Sequence, residues 1–135
     1  QAYIKPSDGR IRRSEFINQK FLYTVSIDSS DGFQLCPADG CQIGKRPEQL
    51  ETSEKFQITE PLPESQKEAY ENFLKNSHID VAAIEWVQSE SGDIYVYDVN
   101  TNTNYNSTAE KNADIFAHQH LAEYLKRELE VLYSE

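Results

Sequence analysis

"VAAIEWVQSESGDIYVYDVNTNTNYN", residues 81–106, decides how this chain is read. Two runs rich in Val, Ile, Trp and Tyr flank a Ser/Gly segment, the pattern of an antiparallel hairpin. With Ser91-Gly92 as a two-residue turn, Glu90 faces Asp93, and counting outward Glu85 falls opposite Asp98. Alternation then puts Asn100, Val87, Ile94 and Val96 on the face of the two acids, and Trp86, Tyr95 and Tyr97 on the other. The second strand runs into Asn100, Asn102, Asn104 and Asn106. Asparagine is depleted from strands and favours turns, so packing alone does not account for that run.

Directly opposed carboxylates repel by a few tenths to about 1 kcal/mol, and by more on a desolvated face. A cation relieves the conflict. Mg²⁺ prefers carboxylate oxygens in near-octahedral geometry and accepts an amide oxygen and several waters beside them. Glu85, Asp98 and Asn100 offer such a set; a lysine partner for one acid, or a solvated sheet face, satisfies the same pattern.

Outward from the hairpin, residues 11–27, "IRRSEFINQKFLYTVSI", predict two strands around a turn near Asn18-Gln19. A short strand "FQLC" follows at 33–36, and residues 37–60 read as loop with one helical turn. "PESQKEAYENFLKN" predicts a helix with a capping box of Ser65 and Glu68 and an apolar stripe of Ala69, Tyr70, Phe73 and Leu74. A last helix starts after Ser107, boxed by Ser107 and Glu110, and runs through Ile115, Leu121, Leu125, Leu129 and Leu132. The sum is an α+β domain: an antiparallel sheet with helices near 65–76 and 108–133 packed on one face.

At 135 residues one domain is expected, and a formal charge of −10 argues against a nucleic-acid surface, which needs clustered Lys and Arg. No run of about 18 apolar residues offers a membrane span, and the first twenty residues lack an apolar signal core. A soluble, cytoplasmic protein is the expectation. The chain has no methionine and opens on the strand-like "QAYIKP", which reads as an excised piece of a longer protein. Cys36 and Cys41 are expected to be reduced thiols, since no second cysteine pair exists. His118 and His120, two apart on a helix, point to different faces and read as surface residues rather than ligands.

The segment "VAAIEWVQSESGDIYVYDVNTNTNYN" resembles the C-terminal metal-binding hairpin of ATP-grasp enzymes: an acid ending a hydrophobic strand, a Gly turn, then acid-x-Asn. That resemblance implies that Glu85, Asp98 and Asn100 hold Mg²⁺ (or Mn²⁺) bridging ATP phosphates, with Asp98 a shorter variant of the usual Glu, and that Asn102 lies near the phosphate or the acceptor. "QAYIKP" is similar to the hinge segment whose backbone meets adenine, here at Tyr3 and Ile4. "GRIRRSEFINQKFLYTV" is similar to the stretch whose Arg contacts phosphate or acyl phosphate, which matches Arg13 best and Arg12 as the alternative. The likeness is greatest to the glutamate-ligase-like and carboxylase-like branches.

The implied activity belongs to a longer parent: ATP-dependent activation of a carboxylate substrate as acyl phosphate, followed by attack of an amine or similar nucleophile, with Arg13 stabilising the transferring group. Residues 1–135 then form the C-terminal ATP-grasp subdomain, with the lysine-bearing, glycine-rich upstream subdomain missing. Apolar surface bared by that truncation favours a homo-oligomer. The rival from another class is a non-catalytic or degenerate module that binds a divalent ion or a protein partner.

Overall fold

The computed structural model describes residues 3–29, 55–59 and 61–134. Arg10–Ile17 (β1) and Lys20–Asp28 (β2) pair antiparallel around Asn18 and Gln19, as the sequence predicts. The φ values of 53° and 61° at those two residues make a turn whose twist matches that of the flanking strands. Phe56–Thr59 (β3) adds to the outer edge of β2, setting Ile58 opposite Val25 and Phe56 opposite Ile27. This strand falls in the stretch read as loop; four residues are too few to show a period. The strand read at 33–36 and the Cys36–Cys41 pair lie outside the described residues.

Glu64–Asn76 (α1) leads to a second hairpin of Val81–Gln88 (β4) and Ile94–Asn100 (β5), and the described chain ends with Ser107–Ala113 (α2) and Ala117–Leu132 (α3). The sheet order is β3-β2-β1-β4-β5, and every neighbouring pair is antiparallel. The α+β class with an antiparallel sheet is therefore the observed one.

The helices are distributed differently from the expectation of one covered face. Leu62 with Tyr70 and Leu74 of α1 covers Phe16, Ala82, Ile84 and Trp86, whereas Ala109 of α2 and Ala117 and Tyr124 of α3 cover Ile11, Tyr23, Val25, Ile27, Phe56 and Val87. The reason lies in β4, whose residues 82–87 are all buried: a strand without an exposed face needs cover on both sides.

Helix ends also differ. Pro63, which makes no side-chain bond, is the N-cap of α1; Ser65 sits inside the first turn, and the Gln66 and Lys67 amides donate to the Pro63 carbonyl. The buried stripe is Gln66, Tyr70 and Leu74, so Ala69 and Phe73 lie outside it. Asn106, not Ser107, caps α2, its side chain accepting from the Ala109 amide at 2.8 Å. The single long helix breaks at Asp114, which adopts a left-handed φ of 55°. Glu110, freed from the expected box, accepts from the Ala117 amide at 2.9 Å and so caps α3.

Candidate functional site

The second hairpin brings Glu85 opposite Asp98, but by an unexpected route. The Ser89 amide donates to the Asp93 carbonyl at 2.9 Å, the Gly92 amide to the Ser89 carbonyl at 3.0 Å, and Gly92 has φ 88°. The tip is thus a three-residue turn, one longer than expected. The register slips by one, pairing Gln88 with Ile94, Val87 with Tyr95 and Trp86 with Val96. A bulge at Tyr97 then restores the count, so that Glu85 faces Asp98 and Ala83 faces Asn100.

Between tip and bulge the β5 side chains take faces opposite to those expected. Ile94 and Val96 share the face of Trp86, and Tyr95 shares that of Val87. Tyr97 packs with the core on the α2/α3 side, and its hydroxyl engages the Glu85 carboxylate. Trp86 is core, as expected, donating to the Ser14 hydroxyl at 3.0 Å.

On its other side Glu85 meets β1, where its register partner is Arg13. The Arg13 side chain is 2% exposed and that of Glu85 5%. Arg13 Nε donates to Glu15 Oε1 at 2.8 Å, Nη1 to Glu85 Oε1 at 3.5 Å, and Nη2 to the Thr103 hydroxyl. Thr103 in turn donates to Glu15, 2.8 Å from Oε2 and 3.1 Å from Oε1. One guanidinium therefore serves two buried carboxylates, with exposed Asp98 at the rim.

The titrations follow from that imbalance. Burial pushes the Glu15 carboxyl up to about 7 against the pull of Arg13 and Thr103, with the Glu85 charge adding to the rise. Burial also raises Glu85; Arg13 opposes the rise and the facing Asp98 reinforces it. Burial and the neighbouring Glu85 charge raise the Tyr97 hydroxyl as well.

Of the other expected residues, Asn100 lies on the face of Asp98 and accepts from the Asn102 amide at 2.8 Å, a side-chain turn that ends the strand. Asn102 and Asn104 are exposed. The asparagine run therefore includes a strand terminator at Asn100 and a helix cap at Asn106. Arg12 points to the opposite face, its guanidinium 5.2 Å from the Trp86 ring centre and paired with Asp8. Ile4 packs against the α2/α3-side core and Tyr3 is exposed. His118 and His120 are both exposed, as expected.

Among the described residues no group of three or more His, Cys, Asp or Glu side chains is arranged to hold a metal ion. A cation at the hairpin would meet two carboxylates and one amide oxygen. That donor set fits Mg²⁺ or Mn²⁺, which take oxygen ligands and, for Mg²⁺, keep several waters. Glu15 and Thr103 were not among the expected residues. Alternation from Arg13 puts Glu15 on the same face, whereas the approach of Thr103 depends on the path of a loop.

No protein-family model and no curated protein matches the sequence. Solved structures do. The macrocyclase MdnB from Microcystis aeruginosa MRC aligns with 93% of this chain and 39% of its own, at 17% identity and TM-score 0.63. The ATP-grasp ligase PsnB, complexed with a phosphomimetic variant of minimal precursor, Mg and ADP, aligns over 90% and 32% at 12% identity and TM-score 0.59. A Chryseobacterium gregarium RiPP-associated ATP-grasp ligase, complexed with ADP and a leader and core peptide, aligns over 84% and 35% at 19% identity and TM-score 0.55. The chain shares the fold of the aligned parts of these structures. It spans only 32–39% of the length of these three structures. No helix among the described residues is long and apolar enough to cross a membrane.

Proposed function

We propose that residues 1–135 are the C-terminal part of an ATP-grasp domain in a longer ATP-dependent ligase, and that they hold the divalent cation accompanying ATP. The observation that carries this reading is the opposition of Glu85 and Asp98, with Asn100 on their face and Arg13 across from Glu85. In the reaction a substrate carboxylate oxygen would attack the γ-phosphorus with departure of ADP, and an amine or similar nucleophile would then attack the acyl carbon of the acyl phosphate, lose its proton and release inorganic phosphate. Glu85, Asp98 and Asn100 would hold the cation, which would supply neutralisation of phosphate charge. Arg13 supplies a fixed positive charge beside it, Tyr3 and Ile4 lie at the adenine end, and Asn102 lies near the phosphate or acceptor. The Chryseobacterium and PsnB complexes, which contain a leader and core peptide and a minimal precursor, favour a peptide as the bearer of the carboxylate.

The test is ATP-dependent ADP release by the full-length protein supplied with Mg²⁺ and candidate peptides. Glu85→Gln and Asp98→Asn are each expected to lower the rate by about 100-fold or more, the scale of losing one pre-organised electrostatic contact. Full activity in the double variant would make the carboxylate pair structural, and no ADP release by the full-length parent would favour the module that only binds an ion or a partner.

A further inference from the structure

We propose that Glu15 and Thr103 hold Arg13 back from Glu85, and so keep the Glu85 carboxylate available to a divalent cation. This rests on the reading of Glu85 as a cation ligand. A buried guanidinium beside a metal-holding carboxylate is a competitor: fixed, permanently charged and able to take both carboxylate oxygens at once. Such an arrangement binds a cation well only if the arginine has another partner.

The geometry supplies one. Glu15, not Glu85, holds the near contact with Arg13, at 2.8 Å against 3.5 Å. Thr103 completes a closed ring: Arg13 Nη2 donates to its hydroxyl, the hydroxyl donates to Glu15, and Glu15 accepts from Arg13 Nε. A hydroxyl has one proton to give and lone pairs to receive, so both bonds form together. The ring fixes the plane of the guanidinium and turns only Nη1 towards Glu85.

Both acids are buried to within a few per cent, and two carboxylates with one cation leave a net negative charge below the hairpin. Removing Glu15 strips the buried Arg13 of its near carboxylate, a strongly unfavourable loss unless another anion closes in. The nearest is Glu85. Closing that gap gives Arg13 a full partner and removes Glu85 oxygens from the cation. Glu15 and Thr103 are thus positioning residues that never touch the ion.

The experiment measures Mn²⁺ affinity of the full-length protein by calorimetry and by the paramagnetic resonance of free Mn²⁺, with thermal unfolding as the check on folding. Residues that orient metal ligands from behind change affinity by about 10–100-fold. Glu15→Gln is expected to weaken Mn²⁺ at least tenfold, and Thr103→Val, which leaves every charge in place, by at least threefold. Adding Arg13→Met to Glu15→Gln removes the competitor and is expected to bring affinity back to within threefold of the parent. Unchanged affinity in Thr103→Val or Glu15→Gln, or no recovery in the double variant, overturns the proposal. Parent protein that fails to bind Mn²⁺, or binds it equally well as Glu85→Gln, overturns the proposed function and this inference with it. Loss of binding in Glu85→Gln alone separates the two.

Discussion

Glu15 carries a carboxyl that ordinarily titrates at 4.5 and here titrates at about 7, because burial outweighs the attraction of Arg13. Between those values the native state keeps a proton that the unfolded chain has released, so stability falls as pH rises from about 4.5 to about 7. At 1.36 kcal/mol per unit, the loss is on the order of 3 kcal/mol. Asp8 and Glu71 are shifted downward and act in the opposite sense, but they are common to the parent and the Glu15→Gln variant. Urea unfolding of both proteins at pH 5 and pH 8 should therefore show the parent losing about 2.5 kcal/mol relative to the variant; a difference independent of pH would contradict the assignment. The residue scale is also where the sequence was most legible: strand alternation allows only one of Arg12 and Arg13 to face the acids, and the matching position is the one that does. Glu15 escaped because a charged residue on a strand ordinarily marks a solvated face, and its burial follows only from α2, α3 and the Thr103 loop closing over it.

At the element scale the hairpin shows how a correct contact can follow from an incorrect register. A turn one residue longer than expected and a bulge of one residue cancel, so Glu85 meets Asp98 while the β5 side chains from Ile94 to Tyr97 change face. No residue type in "DIYVYDV" announces the bulge. Gly92 is the residue the tip depends on: at φ 88° any side chain is strained, although no atom stands within 4 Å of the position where a Cβ would be. Gly92→Ala should lower stability by about 1–2 kcal/mol, read from the denaturation midpoint. Its Mn²⁺ affinity should stay near that of the parent, since the bulge separates the tip from the acids; a large loss of affinity would show that the tip sets their register. The helix caps were harder to place because Ser-x-x-Glu occurs at both starts, yet Pro63 and Asn106, one or two residues earlier, fix the first turn.

For the whole molecule, the antiparallel sheet was legible but its cover was read on one face only, and the division of helices between both faces needed the topology. The formal charge of −10 adds a long-range attraction for cations to the local one. Because the screening length falls from about 30 Å at 0.01 M salt to about 3 Å at 1 M, Mn²⁺ affinity should drop several-fold over that range. Affinity insensitive to salt would confine the attraction to the hairpin itself. The order of the strands has a kinetic meaning as well. Glu85 and Asp98 meet inside a local hairpin, an arrangement that forms in about 1–10 μs, whereas Arg13 reaches Glu85 only after a separation of 72 residues has been closed. The acids thus face one another before their counter-charge arrives, and a folding chain passes through a stage in which the β4–β5 pair is least favourable on its own. Pairing of β1 with β4 ends that stage, making the seating of Arg13 among the acids a late, non-local event whose rate is set by topology rather than by the strength of the ion pairs it completes.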